Sequence, residues 1–264
     1  MGSSAVQGEL WGARARDWAE LQEGTARPLW EAMLAAARVG EGTHFLDAGC
    51  GAGGASLLAA ERGARVVGLD ASHALIAIAR ERLPREQFHV GDLEALPFAA
   101  DRFDVSFAAN SLMFAASPSA ALSELARVTA PGGRVVIGVW GQPQQCDMRY
   151  LFEAVLAALP APPPGEGPFA LSSPGLLEQL VEEAGLEVID RGETECPFEY
   201  MDFEHLWRAQ GSAGPLQAAI RLVGEERLKS AVASAVAPFV RHGGRIRLDN
   251  RFRYVAAARP GSTP

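Results

Sequence analysis

Phe45-Leu46-Asp47-Ala48-Gly49-Cys50-Gly51-Ala52-Gly53-Gly54 is an apolar strand running into a glycine-rich turn that opens a helix. Glycines in such a turn reach positive φ and let the backbone approach a bound molecule with no Cβ in the way, while the helix behind them presents free N–H groups. Gly49, Gly51 and Gly54 match the G-x-G-x-x-G spacing of dinucleotide sites, and Asp70 follows at the distance expected of a ribose contact. Two features oppose a pyrophosphate here. Asp47 places a carboxylate at the strand end, and no Lys or Arg occurs between Phe45 and Ala60; the missing Lys also excludes a P-loop.

A carboxylate in the turn suits a ligand with a cationic end. S-adenosylmethionine is such a ligand, with a sulfonium, an ammonium and a neutral ribose. The next strands agree with it. Arg65 to Asp70 is an apolar, β-branched run ending in an acid that can accept both ribose hydroxyls. Phe88-His89-Val90-Gly91-Asp92 ends in a further acid, placed to accept from an adenine amino group, with Leu93 beside it to pack on the ring. Any one of these acids could equally be a helix cap or a turn residue. Three strands ending in three acids on one sheet edge is a more specific arrangement.

Five segments in order carry a resemblance: LDAGCGAG at Leu46 to Gly53, VVGLDAS at Val66 to Ser72, GDLEALPF at Gly91 to Phe98, FDVSFAANSLMF at Phe103 to Phe114, and ELARVTAPGGRVVIGVW at Glu124 to Trp140. Through them the chain resembles the class I S-adenosylmethionine-dependent methyltransferases, in particular the small-molecule branch related to the ubiquinone and menaquinone methyltransferases. The resemblance is strong from Thr43 to Trp140 and weak elsewhere. It implies that Asp47, Ala48, Gly49 and Gly51 lie near the methionine part of the cofactor, Asp70 and Ala71 at the ribose, Asp92 and Leu93 at the adenine, and Asn110 on the sulfonium side. Ala52-Gly53-Gly54-Ala55 departs from the commoner Thr-Gly pair, so no side-chain hydroxyl is expected there.

Strands at 44–49, 65–70, 88–92, 103–110 and 133–140 alternate with helices Gly54 to Arg62, Ser72 to Leu83 and Pro118 to Thr129. Such alternation predicts an α/β fold with a doubly wound, mainly parallel sheet. Helix Pro174 to Ala184, strand Leu186 to Cys196 and a closing strand Arg247 to Arg259 complete a seven-stranded, Rossmann-like sheet whose last strand is antiparallel. Two helices, Leu10 to Leu21 and Arg27 to Arg38, precede it. The expected organisation is N-terminal lid helices over 1–40, a cofactor-binding core over 41–140, an insertion over 141–172, core again over 173–196, a mostly helical lid segment over 197–245, and the closing strand and tail over 246–264. Pro160 to Gly165 reads as a stiff extended connector, and Asp249-Asn250 as a turn or strand start.

Composition narrows the partners. The formal net charge of −8 disfavours nucleic acid, which draws on clustered Lys and Arg. The arginines from Arg241 to Arg253 alternate with Ile246, Leu248, Phe252 and Tyr254, as on a half-exposed hairpin. No apolar run is long enough to span a bilayer, and Met1 to Ala5 lacks the basic and apolar regions of a secretory signal, so no membrane partner and a cytoplasmic location are expected. Cys50, Cys146 and Cys196 are too scattered for a disulfide framework, and no His, Cys or carboxylate cluster has metal-ligand spacing. Abundant Ala and Arg with a single Lys, Lys229, point to a bacterial source, where secondary metabolism is a common setting for such enzymes.

In an open α/β sheet the ligand lies beyond the C-terminal strand ends, so segments inserted there act as a lid. Aromatics of the lid segments, Trp11, Trp18, Trp30, Tyr150, Phe152, Phe169, Phe198, Tyr200, Phe203, Trp207 and Phe239, mostly pack it against the sheet, as aromatic stripes on amphipathic helices do. Phe114 and Trp140, which follow strands four and five, are the acceptor-pocket candidates. The expected reaction is methyl transfer from S-adenosyl-L-methionine to a small-molecule acceptor without a metal. A hydroxyl or carbon acceptor would also need a general base. His205 in the lid is the candidate, with Glu199, Tyr200 and Asp202 as rivals. The alternatives are a non-methylating reaction such as a cyclisation on the same fold, or an NAD(P)-dependent oxidoreductase.

Overall fold

The computed structural model describes residues 3–162 and 167–261. Half of the connector expected over Pro160 to Gly165, residues 163–165, falls outside them, as does the end of the tail. The elements are α1 (Ser4–Gly12), α2 (Ala15–Asp17), α3 (Arg27–Ala36), β1 (His44–Ala48), α4 (Gly54–Glu61), β2 (Arg65–Asp70), α5 (His73–Arg82), β3 (Gln87–Val90), β4 (Phe103–Ala109), α6 (Pro118–Val128) and β5 (Thr129–Trp140). They continue as α7 (Met148–Ala158), α8 (Leu176–Glu183), β6 (Glu187–Glu195), β7 (Phe198–Tyr200), α9 (Phe203–Gly211), α10 (Gly214–Val223), α11 (Glu225–Val236), β8 (Ile246–Leu248) and β9 (Arg251–Ala258).

The main sheet has seven strands in the order β3-β2-β1-β4-β5-β9-β6. Strands β3 to β5 run parallel, and β9 lies antiparallel to both β5 and β6. Helices cover both faces, which is why the strands read as continuous apolar runs. Phe45 and Phe107 point to one face with Leu29 and Met33 of α3, while Leu46, Leu69 and Phe103 point to the other with Leu122 and Leu125 of α6. Strand order reverses between β1 and β4, so the two chains leave the sheet in opposite directions and open a crevice above their carboxyl ends. The glycine turn after β1 sits at that crevice.

Three expected elements differ. The helix expected over Leu10 to Leu21 is broken: α1 starts at Ser4, the chain bends at Arg14, and a π-helical turn, Trp18–Gln22, leads into a 3-10 turn, Glu23–Ala26. Arg14 turns back to Asp17, its Nη2 donating to the carboxylate at 2.6 Å, which fixes the bend. The closing strand expected over Arg247 to Arg259 is two strands. β8 pairs antiparallel with β7 in a separate two-stranded sheet, and only β9 joins the main sheet. Asn250 makes the break, because its buried side chain accepts from the Met148 N–H at 3.0 Å and donates to the Leu248 carbonyl at 3.1 Å. The 197–245 segment, expected to be helical, therefore begins with a short strand before α9 to α11.

Candidate functional site

One cavity lies over the carboxyl ends of β1, β2, β3 and β4, roofed by α1, the 18–26 segment and the start of α10. Asp47, Gly49, Gly51, Asp70, Ala71, Asp92, Leu93 and Asn110 all border it, as do Phe114 and Trp140. Ala48 does not. Its side chain is fully buried in the core on the far sheet face, and its carbonyl accepts from the Ser111 hydroxyl at 2.8 Å. The strand's alternation turns the Asp47 and Ala48 side chains to opposite faces, so any contact of Ala48 with a ligand is left to its backbone.

The turn owes its shape to its glycines. Gly49 has φ +81°, and a Cβ there would sit 2.2 Å from Cβ of Ser111. Gly51 has φ +56°. Its N–H donates to Oδ2 of Asp70 at 2.9 Å, and the Ser72 N–H donates to Oδ1 at 2.8 Å, so both oxygens of Asp70 are oriented by backbone. Asp47 is buried and accepts from the Ser56 hydroxyl at 2.7 Å. Asp92 is half-buried and caps its own turn through the Glu94 N–H at 3.0 Å.

Sequence reasoning missed Glu23. Its carboxylate is buried, borders the cavity, and accepts from the Ala52 N–H at 2.7 Å through Oε1. Arg82, from the end of α5, donates to Oε2 of Glu23 at 2.5 Å, to the Ala52 carbonyl at 2.9 Å and to the Ala19 carbonyl at 2.7 Å. A cation thus does reach the turn, but its charge is matched by Glu23 and it does not border the cavity. Only the break in helical pattern at Glu23-Gly24-Thr25 marks this segment in the sequence.

The acids feel one another. Burial, opposed by the Ser56 hydroxyl and reinforced by the charges of Glu23 and Asp70, raises the Asp47 carboxyl to about 7. Burial raises Glu23 against the pull of Arg82, and raises Asp70 against its backbone donors. Desolvation disfavours the charged form and neighbouring negative charge adds to it. A ligand cation placed among these groups would reverse the effect. Asn110, at φ +54°, keeps its Oδ1 buried without a hydrogen-bond partner among the described residues.

Beyond the acids the cavity is walled by aromatic rings. Trp140 packs against Phe152, Phe198 and Phe252 at centroid separations of 5.7, 5.9 and 4.4 Å. Trp11 meets both Trp18 and Phe114 edge-on. Trp30, Gln22 and Gln210 also border the cavity, whereas Tyr150, Phe169, Phe203, Trp207 and Phe239 do not. His205 lies away from it, half-buried on α9, with Nδ1 accepting from the Met201 N–H at 3.1 Å. Among its rivals, Glu199 pairs with Arg247, and Asp202 caps α9 through the His205 N–H. Among the described residues no group of three or more His, Cys, Asp or Glu could hold a metal ion, and no helix is long and apolar enough to cross a membrane.

Known proteins share this core. Residues 46–137 match the methyltransferase domain family. A demethylmenaquinone methyltransferase of Renibacterium salmoninarum is 36% identical over 121 residues, 46% of this chain and 51% of that protein. A malonyl-[acyl-carrier protein] O-methyltransferase of Serratia marcescens is 36% identical over 110 residues, 42% of this chain and 43% of that one. The chain spans about half the length of the curated relatives it matches. Among solved structures, the [4+2]-cyclase SpnF superposes with a TM-score of 0.58 at 22% identity, covering 89% of this chain and 81% of the other. The glycine turn, the strand-end acids, the sheet order and the matched segment together show that residues 46–137 of this chain form a methyltransferase domain of the class I, S-adenosylmethionine-dependent architecture.

Proposed function

We propose that the chain binds S-adenosyl-L-methionine in this cavity and transfers its methyl group to a small-molecule acceptor. The observation that carries the reading is the convergence of Asp47, Asp70, Asp92 and Glu23 on a glycine turn whose cavity has no Lys, Arg or His on its wall among the described residues. The donor set fits the cofactor. Buried carboxylates suit its ammonium and sulfonium, the oriented Asp70 suits ribose hydroxyls, and Asn110, whose side-chain oxygen has no hydrogen-bond partner among the described residues, borders the same cavity. When bound, the cofactor supplies a methyl carbon already activated by a positive sulfur.

The chain's own residues then align and desolvate. Asp47 and Gly49 hold one end of the ligand and Asp92 with Leu93 the other, while the aromatic wall excludes water. In-line alignment of this kind supplies a large share of the acceleration in bimolecular transfer. Titration of S-adenosylmethionine and of nicotinamide dinucleotides by calorimetry tests the reading. Binding of the sulfonium compound, with S-adenosylhomocysteine released on incubation with an acceptor, supports it; binding of a dinucleotide alone overturns it.

A second reading, reaction on this fold without methyl transfer, is favoured by one feature: among the described residues no imidazole or amine borders the cavity to take an acceptor's proton. Product mass separates the two, since only transfer adds a methyl unit. We further place the protein in the cytoplasm of a bacterium, on its likeness to bacterial relatives.

A further inference from the structure

At the aromatic half of the cavity a polar cluster is assembled from two lid segments that the methyl-transfer reading leaves without a role. The Tyr200 hydroxyl donates to Oε1 of Gln22 at 2.9 Å and accepts from Nε2 of Gln210 at 2.7 Å. Gln22 in turn donates to the Thr25 hydroxyl at 3.1 Å. Gln22, Tyr200 and Gln210 are 5%, 2% and 3% exposed. Gln22 ends the π-helical turn, a distortion that recurs at functional sites because it re-aims a side chain.

The relay has a fixed direction. A phenol donates one hydrogen, and here it goes to Gln22, so Gln210 must present its amide nitrogen to Tyr200. Its Oε1 is then left over. Among the described residues that oxygen accepts no hydrogen bond, and the side chain borders the cavity, so the oxygen is open to it. An acceptor that opens onto a cavity with aromatic walls is available to a ligand's hydrogen-bond donor.

The geometry points to Gln210 as the residue that selects the acceptor, its free oxygen taking a hydrogen bond from the hydroxyl or N–H of an uncharged, largely aromatic or apolar molecule. This assignment rests on the transfer reading above. Three observations restrict the class. Trp140, Phe198 and Phe252 wall the space, so a flat apolar body is accommodated. No Lys, Arg or His among the described residues borders it, so a carboxylate or phosphate would lose its hydration with no countercharge. The carboxylates at the strand ends add repulsion. Tyr200 and Gln22 act as positioning residues, holding the Gln210 amide in the orientation that leaves its oxygen free.

The test uses the full chain and four probes of one shape: 1-naphthol, naphthalene, 1-naphthoate and 1-naphthyl phosphate, followed by quenching of tryptophan fluorescence, with and without saturating S-adenosylhomocysteine. Naphthol is expected to bind about tenfold tighter than either anion and than naphthalene, the discrimination a hydrogen-bonding pocket provides. Gln210→Leu should bring naphthol and naphthalene together while leaving naphthalene binding intact, and Tyr200→Phe should reduce the preference in part. An anion binding as tightly as naphthol, no saturable naphthol binding, or an undiminished naphthol preference in a folded Gln210→Leu chain overturns the proposal. If that variant does not fold, the four-probe ranking on the unaltered chain decides. Calorimetry with S-adenosylhomocysteine reports separately on the cofactor: naphthol selectivity without it sinks the transfer reading alone, and cofactor binding without naphthol selectivity sinks this one alone.

Discussion

Arg82 reaches Oε2 of Glu23 at 2.5 Å, and this pair fastens the 18–26 segment to the turn after β1. Glu23 is 6% exposed and Arg82 29%, so the pair is shielded but not dry. Breaking a buried pair on one side is strongly destabilising because the other charge is stranded. With part of Arg82 in water, Arg82→Met should cost about 2 kcal/mol at pH 8. The loss should be smaller at pH 5. Glu23, already raised by burial, is raised further once its partner is gone, and a raised carboxyl lends stability that is present at low pH and disappears as pH climbs through its folded value. Urea unfolding of both proteins at the two pH values reads this directly; an equal loss at both would refute it.

Asp47 predicts a pH dependence of its own. Its carboxyl is raised from 3.8 to about 7, so the folded state holds a proton that the unfolded state has released between those values. Stability of the ligand-free chain should therefore fall as pH rises from about 4 to about 7, by at most about 1.4 kcal/mol per unit from this group. Asp47→Asn should flatten that slope in thermal unfolding. Cofactor affinity should move the opposite way, strengthening as pH rises through 7, because a cation binds the ionised form; calorimetry from pH 6 to pH 8 checks it.

Gly49→Ala should destabilise the chain by about 3 kcal/mol and abolish cofactor binding, since φ is +81° and the new Cβ meets Ser111. Adding Ser111→Gly removes the clash but not the backbone strain, so the double variant should recover part of the stability. Guanidinium melts of the two variants measure the share of each cause.

Asn110 separates binding from folding. Its φ of +54° suits Gly as well as Asn, and its side-chain oxygen has no partner among the described residues to lose. Asn110→Gly should keep stability within about 1 kcal/mol while weakening cofactor binding. A variant that binds as the parent does would remove Asn110 from the site.

His205→Ala should leave turnover unchanged, because the ring lies away from the cavity and accepts a backbone N–H. The loss expected is about 1 kcal/mol of stability, the worth of one local hydrogen bond. A fall in kcat with unchanged stability would restore His205 as a base.

What the sequence made legible follows from how each residue is held. The acids at the ends of β1, β2 and β3 were readable because strand, turn and acid are contiguous, and a parallel sheet brings successive strand ends to one edge. Glu23, Gln22 and Gln210 were not. They come from lid segments whose inward faces are set by tertiary packing, and the π-helical turn at Trp18–Gln22 shifts the helical phase that periodicity relies on. Asn250 broke the closing strand for a similar reason: its role depends on the amide of Met148, about a hundred positions away. Alternation, by contrast, is legible in the sequence alone, and it turns the Ala48 side chain away from the face that Asp47 presents.

The guanidinium that grips the carbonyls of both Ala19 and Ala52 gives the first residues of the chain a part in electrostatics as well as in shelter. Were the segment through Ala26 cut away, Glu23 would go with it and Arg82 would stand unbalanced behind the glycine turn. The cleft would then lose one negative charge and feel a nearby positive one, and its appetite would swing from sulfonium toward phosphate.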